Sequence, residues 1–255
     1  VTTKATALRG LSAAIAPLVD EHTAVAFLQN GMAWWYPLGL PAGRPAPASL
    51  HVFGLADEYL RLLRPEQVLG GVVYSANAVV RPGLVRNNSP AKNAVELGCI
   101  DDLERPALLQ ARRALVQAGI ESPPVADIRS ALWLKLVGNA ATSSLCVAIG
   151  NPAALLTDTA LQQVYENLLR ECLAVAAAHG HDVADRVGAT NWTPHRARHK
   201  PSLLQDYEAG RPMEVEELLL APVAFARAAG VATPTLDAVT AIAARLAIDK
   251  GLFRP

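Results

Sequence analysis

A chain of 255 residues, 51% of them apolar, can bury a sizeable core and form one large or two ordinary domains. Its 23 Lys and Arg balance 23 Asp and Glu with no block of like charge, so neither nucleic acid nor a membrane surface is expected as a partner. It has no uninterrupted apolar run of about 18 residues and no basic-then-apolar leader, which points to a soluble cytoplasmic protein.

In chain order, residues 8–18 carry helical apolar spacing, and residues 23–28 read as a short buried strand ending at the turn Gln29-Asn30-Gly31. The aromatic cluster Trp34-Trp35-Tyr36 leads into a Pro/Gly-rich loop over 37–47, followed by a helix near 57–63. Strand-like runs at 71–80, 84–86 and 94–97 are separated by the turn signals Arg81-Pro-Gly83 and Ser89-Pro90. A helix over 105–118 is closed by Gly119.

After Pro123-Pro124 the strand-like runs stop and four long segments with helical periodicity follow, over 128–149, 158–179, 213–229 and 235–249. Thr157-Asp158 can cap the second, Gly230 can end the third, and Thr233-Pro234 can start the last. The expected architecture is α/β plus all-α, with domains at 1–125 and 126–255 and a ligand cleft between them. His179-Gly-His181 ends the second helix and reads as a C-cap with two exposed imidazoles in preference to a zinc site, so no metal is expected.

Three places can carry chemistry. Lys135 and Asn139 interrupt an otherwise apolar helix four residues apart, on one side of it, with Ser143 another turn along. A lysine partly stripped of water has its pKa lowered toward neutrality and can give a proton to a substrate oxygen. The bland alternative is a lysine snorkelling from a helix edge. The preference for Arg elsewhere, 18 against five Lys, adds a weak hint that a titratable ammonium matters here. The second place is the polar loop from Lys200 to Glu216, where Glu214 is either an acid favoured by a helix start or a carboxylate that holds Lys135 or a substrate hydroxyl. The third is Asn30, at the carboxyl end of a strand, where an amide can reach a ligand or simply make a turn. GxGxxG, GxxxxGK[ST], GxSxG and HExxH are all missing, so the residues alone identify no nucleotide site, serine hydrolase or zincin.

Taken in order, Lys4, Leu28-Gln-Asn-Gly-Met32, Lys135-Leu-Val-Gly-Asn139, Ser202-Leu-Leu-Gln-Asp206 and Gly210-Arg-Pro-Met-Glu214 resemble the ketopantoate reductase (2-dehydropantoate 2-reductase) family. Gly70-Gly-Val-Val-Tyr74 and Arg81-Pro-Gly83 fit between these motifs, so the resemblance spans almost the whole chain. It implies an incomplete Rossmann-type nucleotide-binding domain followed by a helical C-terminal domain. The implied reaction is NADPH-dependent reduction of a small-molecule 2-oxoacid, 2-dehydropantoate to pantoate in pantothenate biosynthesis.

In that family Lys135 corresponds to the general acid, with Glu214 orienting it. Asn30, Asn139, Ser143 and Ser202 would hold the substrate, and Lys4 and Asn30 would face the nicotinamide. The family also begins with a strand, a glycine-rich turn and a helix, so roughly 60–75 residues are expected before Val1, and without them NADPH affinity should be lost.

Ser143 stands where the family commonly has a second asparagine, leaving more room for substrate. The Trp34-Trp35-Tyr36 cluster can wall the site or fill a core. Two alternatives remain: a related hydroxyacid dehydrogenase, or a non-catalytic NADP-binding protein. A homodimer is compatible with the helical half.

Overall fold

The structure, a computed structural model, describes residues 1–40, 50–89, 91–187 and 200–255. The Pro/Gly-rich stretch beyond residue 40 and Pro90 of the expected second turn lie outside the described residues. The chain divides into two compact units. The first holds Val1–Asn30, Trp35–Leu40 and the described residues of Leu55–Leu132; the second holds Gly31–Trp34 and the described residues of Pro41–Gly54 and Trp133–Pro255.

The first unit opens with the short helix α1 (Leu11–Ile15), flanked by single 3-10 turns, and is built on the strands β1 (Val25–Phe27), β2 (Val68–Tyr74) and β5 (Ala94–Cys99). β1 runs parallel to β2, and β2 pairs antiparallel with β5. Between β1 and β2 lies the one-turn helix α2 (Ala56–Tyr59), preceded by a 3-10 turn. The expected single run over 71–80 is two strands: β2 stops at Tyr74, and β3 (Asn77–Arg81) turns away to pair with β4 (Leu84–Asn87) in a separate exposed hairpin. Ser75 and Asn77 interrupt the apolar run, but no Gly or Pro marks the break and Ala78, Val79 and Val80 follow, which is why composition hid it. Gly83, at φ +77°, makes the hairpin turn.

Helix α3 (Pro106–Gln117) covers one face of the sheet, where Leu108 joins Leu69, Val95, Leu97 and Cys99 in a buried cluster. On the same β2–β5 pairing two glycines stand opposite each other, Gly70 and Gly98. A Cβ on Gly70 would lie 2.5 Å from the Trp35 ring, and one on Gly98 would lie 2.8 Å from Cβ of Ile128. The glycine pair is therefore a seat for Trp35 and for the first residue of the next helix, α4 (Ile128–Ile149).

The start of α4 is held further by Asp102, which accepts the Ile128 N–H, and by Asp127, which accepts from the N–H groups of Arg129 and Ser130. Arg129, 2% exposed, donates to the carbonyls of Tyr36, Leu38 and Ile100, and its guanidinium lies 5.7 Å from the centre of the Tyr36 ring. Trp34, Trp35 and Tyr36 are each about 1% exposed, so of the two sequence readings of this cluster the core is the one its burial favours. By length and composition α4 could cross a membrane, but 61% of its most apolar window is buried inside the protein, as befits a core helix.

The second unit is helical. After Gly150, at φ +66°, has closed α4 come α5 (Thr159–Ala178), α6 (Ser202–Ala209), a π-helical turn (Glu216–Leu220), α7 (Ala221–Ala229) and α8 (Pro234–Asp249). Asp158 caps α5 through the N–H groups of Ala160 and Leu161, as its sequence position suggested. Thr233 occupies the N-cap of α8, but its hydroxyl does not cap the helix. The Glu171 carboxylate of α5 takes the first-turn N–H groups of Thr235 and Leu236 instead and ties the two helices together.

The third expected helix is not α-helical throughout. Pro222 has no N–H and its ring would collide with the Leu218 carbonyl, and the turn before it widens to π geometry. His179 and His181 are buried at 2% and 1% exposure, contrary to the expectation of exposed imidazoles, and both stack on Trp133. His179 donates from Nε2 to the Phe225 carbonyl, which requires the proton on that nitrogen. The C-cap itself is as expected, with Gly180 at φ +83°.

Candidate active site

Lys135, Asn139 and Ser143 lie on α4 as their spacing predicts. Most of the helix between Ala131 and Val147 is buried, but a stripe of half-buried positions runs along it: Leu134, Lys135, Gly138, Asn139 and Thr142. Four residues advance the helix by about 6 Å and 40°, so Asn139 stays on this stripe with Lys135 while Ser143, turned further, is 4% exposed. A half-buried ammonium and an amide on the one open stripe of a core helix can meet a small polar molecule without leaving the protein.

Glu214 sits at the N-terminal edge of the π turn and is 4% exposed, and its carbonyl accepts the Leu218 N–H. The loop that delivers it is tightly fixed. Gly210 ends α6 in the left-handed conformation, Arg211 binds the buried Asp206 through both its backbone and its side chain, and the Met213 N–H reaches the Leu252 carbonyl. Ser202, the first residue of α6, is exposed.

The two acids that follow Glu214 differ from it. Glu216 receives the N–H groups of His51 and Val52 at 2.7 and 3.1 Å, and so closes the start of a 3-10 turn at His51–Leu55. Glu217 is 7% exposed. Burial, together with the charges of Glu214 and Glu216, pushes its carboxyl up to about 7. Its carbonyl takes the Met32 N–H, and a side chain on Gly31, at φ +84°, would strike it at 2.7 Å. Sequence inspection passed over Glu217 because burial through a π turn has no periodic signature. Only the clustering of three acids within four residues hinted at it.

Lys4 and Asn30 belong to the first unit and are both half-buried. The Leu28 N–H donates to the Val1 carbonyl, and the Gln29 side chain donates to the carbonyls of Val1 and Thr3. These bonds lay the two segments side by side, and Lys4 and Asn30 are the next residue along each. Asn30 also follows the carboxyl end of β1, a strand of the parallel pair, which is where open α/β sheets receive ligands. An ammonium and an amide there can meet a polar ligand. Among the described residues no group of three or more His, Cys, Asp or Glu could hold a metal ion. The three cysteines are free and buried, and burial pushes the thiols of Cys146 and Cys172 up to about 12, too high for a nucleophile.

A family model described as Ketopantoate reductase PanE/ApbA C terminal matches residues 127–247, the stretch that carries Lys135 and Glu214. Over 244 residues the chain is 33% identical to a 2-dehydropantoate 2-reductase of Mesorhizobium japonicum, covering 94% of this chain and 73% of that relative. A solved structure described as a ketopantoate reductase from Ralstonia solanacearum MolK2 superimposes with a TM-score of 0.82 at 26% identity, over 98% of this chain and 76% of that one. D-mandelate dehydrogenase, solved with NADH and anilino(oxo)acetate, shares the fold with a TM-score of 0.77 at 20% identity, over 98% and 75% of the two chains.

Proposed function

The chain belongs to the ketopantoate reductase family, oxidoreductases with a Rossmann-type domain and a helical one that use a nicotinamide cofactor, and from that premise we propose that it reduces a 2-oxoacid with NADPH, most simply 2-dehydropantoate to pantoate for pantothenate biosynthesis. The observation that carries this reading is the placement of Lys135 with Asn139 on the half-buried stripe of α4.

When bound, the nicotinamide supplies hydride to the ketone carbon. The protein has to deliver the matching proton to the oxygen. Lys135 does so from its ammonium, and partial burial makes the neutral amine left behind less costly than it would be in water. Asn139 supplies a hydrogen bond to the acid from α4, and Ser202 does so from the start of α6, while Ser143, turned off the stripe, is left as a buried neighbour of the site. Glu214, buried at the N-terminal edge of the π turn, holds Lys135 or a substrate hydroxyl and favours the charged form of the lysine before the proton moves. Lys4 and Asn30 hold the nicotinamide side.

The test is cofactor oxidation by the full-length protein over a panel of 2-oxoacids, with NADPH and NADH compared at equal concentration. The proposal expects turnover with NADPH, fastest on 2-dehydropantoate. Faster turnover on another 2-oxoacid would favour a related hydroxyacid dehydrogenase, for which the likeness to D-mandelate dehydrogenase gives a structural precedent. NADPH binding without turnover on any acid would leave the non-catalytic reading.

A further inference from the structure

Glycine inside a helix lowers its stability relative to alanine, so a glycine kept there asks for a reason. Four glycines elsewhere have a steric reason, since a Cβ on Gly31, Gly70, Gly71 or Gly98 would strike a neighbour at between 2.1 and 2.8 Å, and most of the others sit at positive φ. Gly138, in the middle of α4, has no such reason. Beyond its two chain neighbours and the backbone of its own helix, a Cβ built there meets no atom of the described residues within 4 Å, and its φ is not in the left-handed region. It nevertheless lies on the half-buried stripe, next to Asn139 and one turn beyond Lys135.

Helical side chains lean toward the N-terminus, so a side chain at 138 would lie over the turn that holds Leu134 and Lys135. The missing side chain leaves room at the flank of the proposed proton donor, on the half-buried stripe, while the helix positions on either side of that stripe, Leu136, Val137, Ala140 and Ala141, are buried. Resting on the reading of Lys135 given above, we propose that the carbon chain of the 2-oxoacid occupies the space over Gly138, and that Gly138 sets the largest acid the enzyme accepts.

Replacing Gly138 by Ala and by Leu in the full-length enzyme, and measuring kcat/KM with NADPH on pyruvate, 3-methyl-2-oxobutanoate, 2-dehydropantoate and phenylpyruvate, tests this. Gly138→Ala is expected to melt at or above the wild-type temperature, which establishes that the site is open and the fold intact. Gly138→Leu is expected to lose about tenfold or more on the larger acids while pyruvate changes little, the discrimination that a few methylenes in a pocket provide. An equal loss on all four acids, or no change on any, overturns the assignment of Gly138 and leaves the reductase reading standing. A wild type that reduces none of the four overturns both.

Discussion

Glu217 brings a cost that depends on pH. Its carboxyl, buried and facing two neighbouring acids, ionises near 7 in the folded chain against an ordinary 4.5. Between those values the unfolded chain has already released a proton that the folded chain retains. Stability is therefore highest below about 4.5 for this group, falls as pH rises toward 7, and levels off above, a total of roughly 3 kcal/mol. Glu217→Gln removes the titration, and urea unfolding at pH 8 should show the variant more stable than wild type by a large part of that amount, with the difference shrinking at pH 5. Equal stabilities at pH 8 would show that folding does not make the carboxyl harder to ionise.

Arg129 is the opposite case, a buried charge whose guanidinium donates to three carbonyls. Arg129→Met should cost about 3 kcal/mol or more, read as a lower midpoint in denaturant, because those carbonyls lose their donor. Lys135 and Asn139 were visible in the sequence because a polar residue interrupting apolar periodicity leaves a local mark, and Glu214 because an acid at a helix start does. Arg129 and Glu217 were not, because their burial depends on Tyr36, Leu38 and Ile100 in one case and on a π turn in the other.

Among the elements, the long helices were the most legible. Strong 3.6-residue periodicity, Asp158 at one start and Gly150, Gly180 and Gly230 at the ends set their limits. The break between β2 and β3 was not legible, since Ser75 and Asn77 mark it without a Gly or Pro and apolar residues resume at Ala78. Nor was the capping of α8 by Glu171, a contact made by residues more than 60 positions apart.

The seat of α4 on Gly98 is likewise a long-range feature, and it can be tested. Gly98→Ala places a Cβ within 2.8 Å of Ile128 Cβ and should destabilise the first unit by about 2 kcal/mol. Combined with Ile128→Gly, the loss should be smaller than the sum of the two single losses, because the second change removes the Cβ that the first one strikes. Additive losses would place the strain elsewhere.

For the whole molecule, 33% identity to a 2-dehydropantoate 2-reductase and the family match over residues 127–247 place the chain in a family of nicotinamide-dependent reductases. Within that frame the chemistry assigned to this chain narrows to one proton donor. The most direct measurement is steady-state reduction of 2-dehydropantoate by full-length wild type and Lys135→Ala, with NADPH binding followed separately by its fluorescence. The account predicts that the variant binds NADPH as wild type does and loses about a hundredfold to ten-thousandfold in kcat, the contribution of a positioned general acid. A variant whose kcat stays within a few fold of wild type would contradict it.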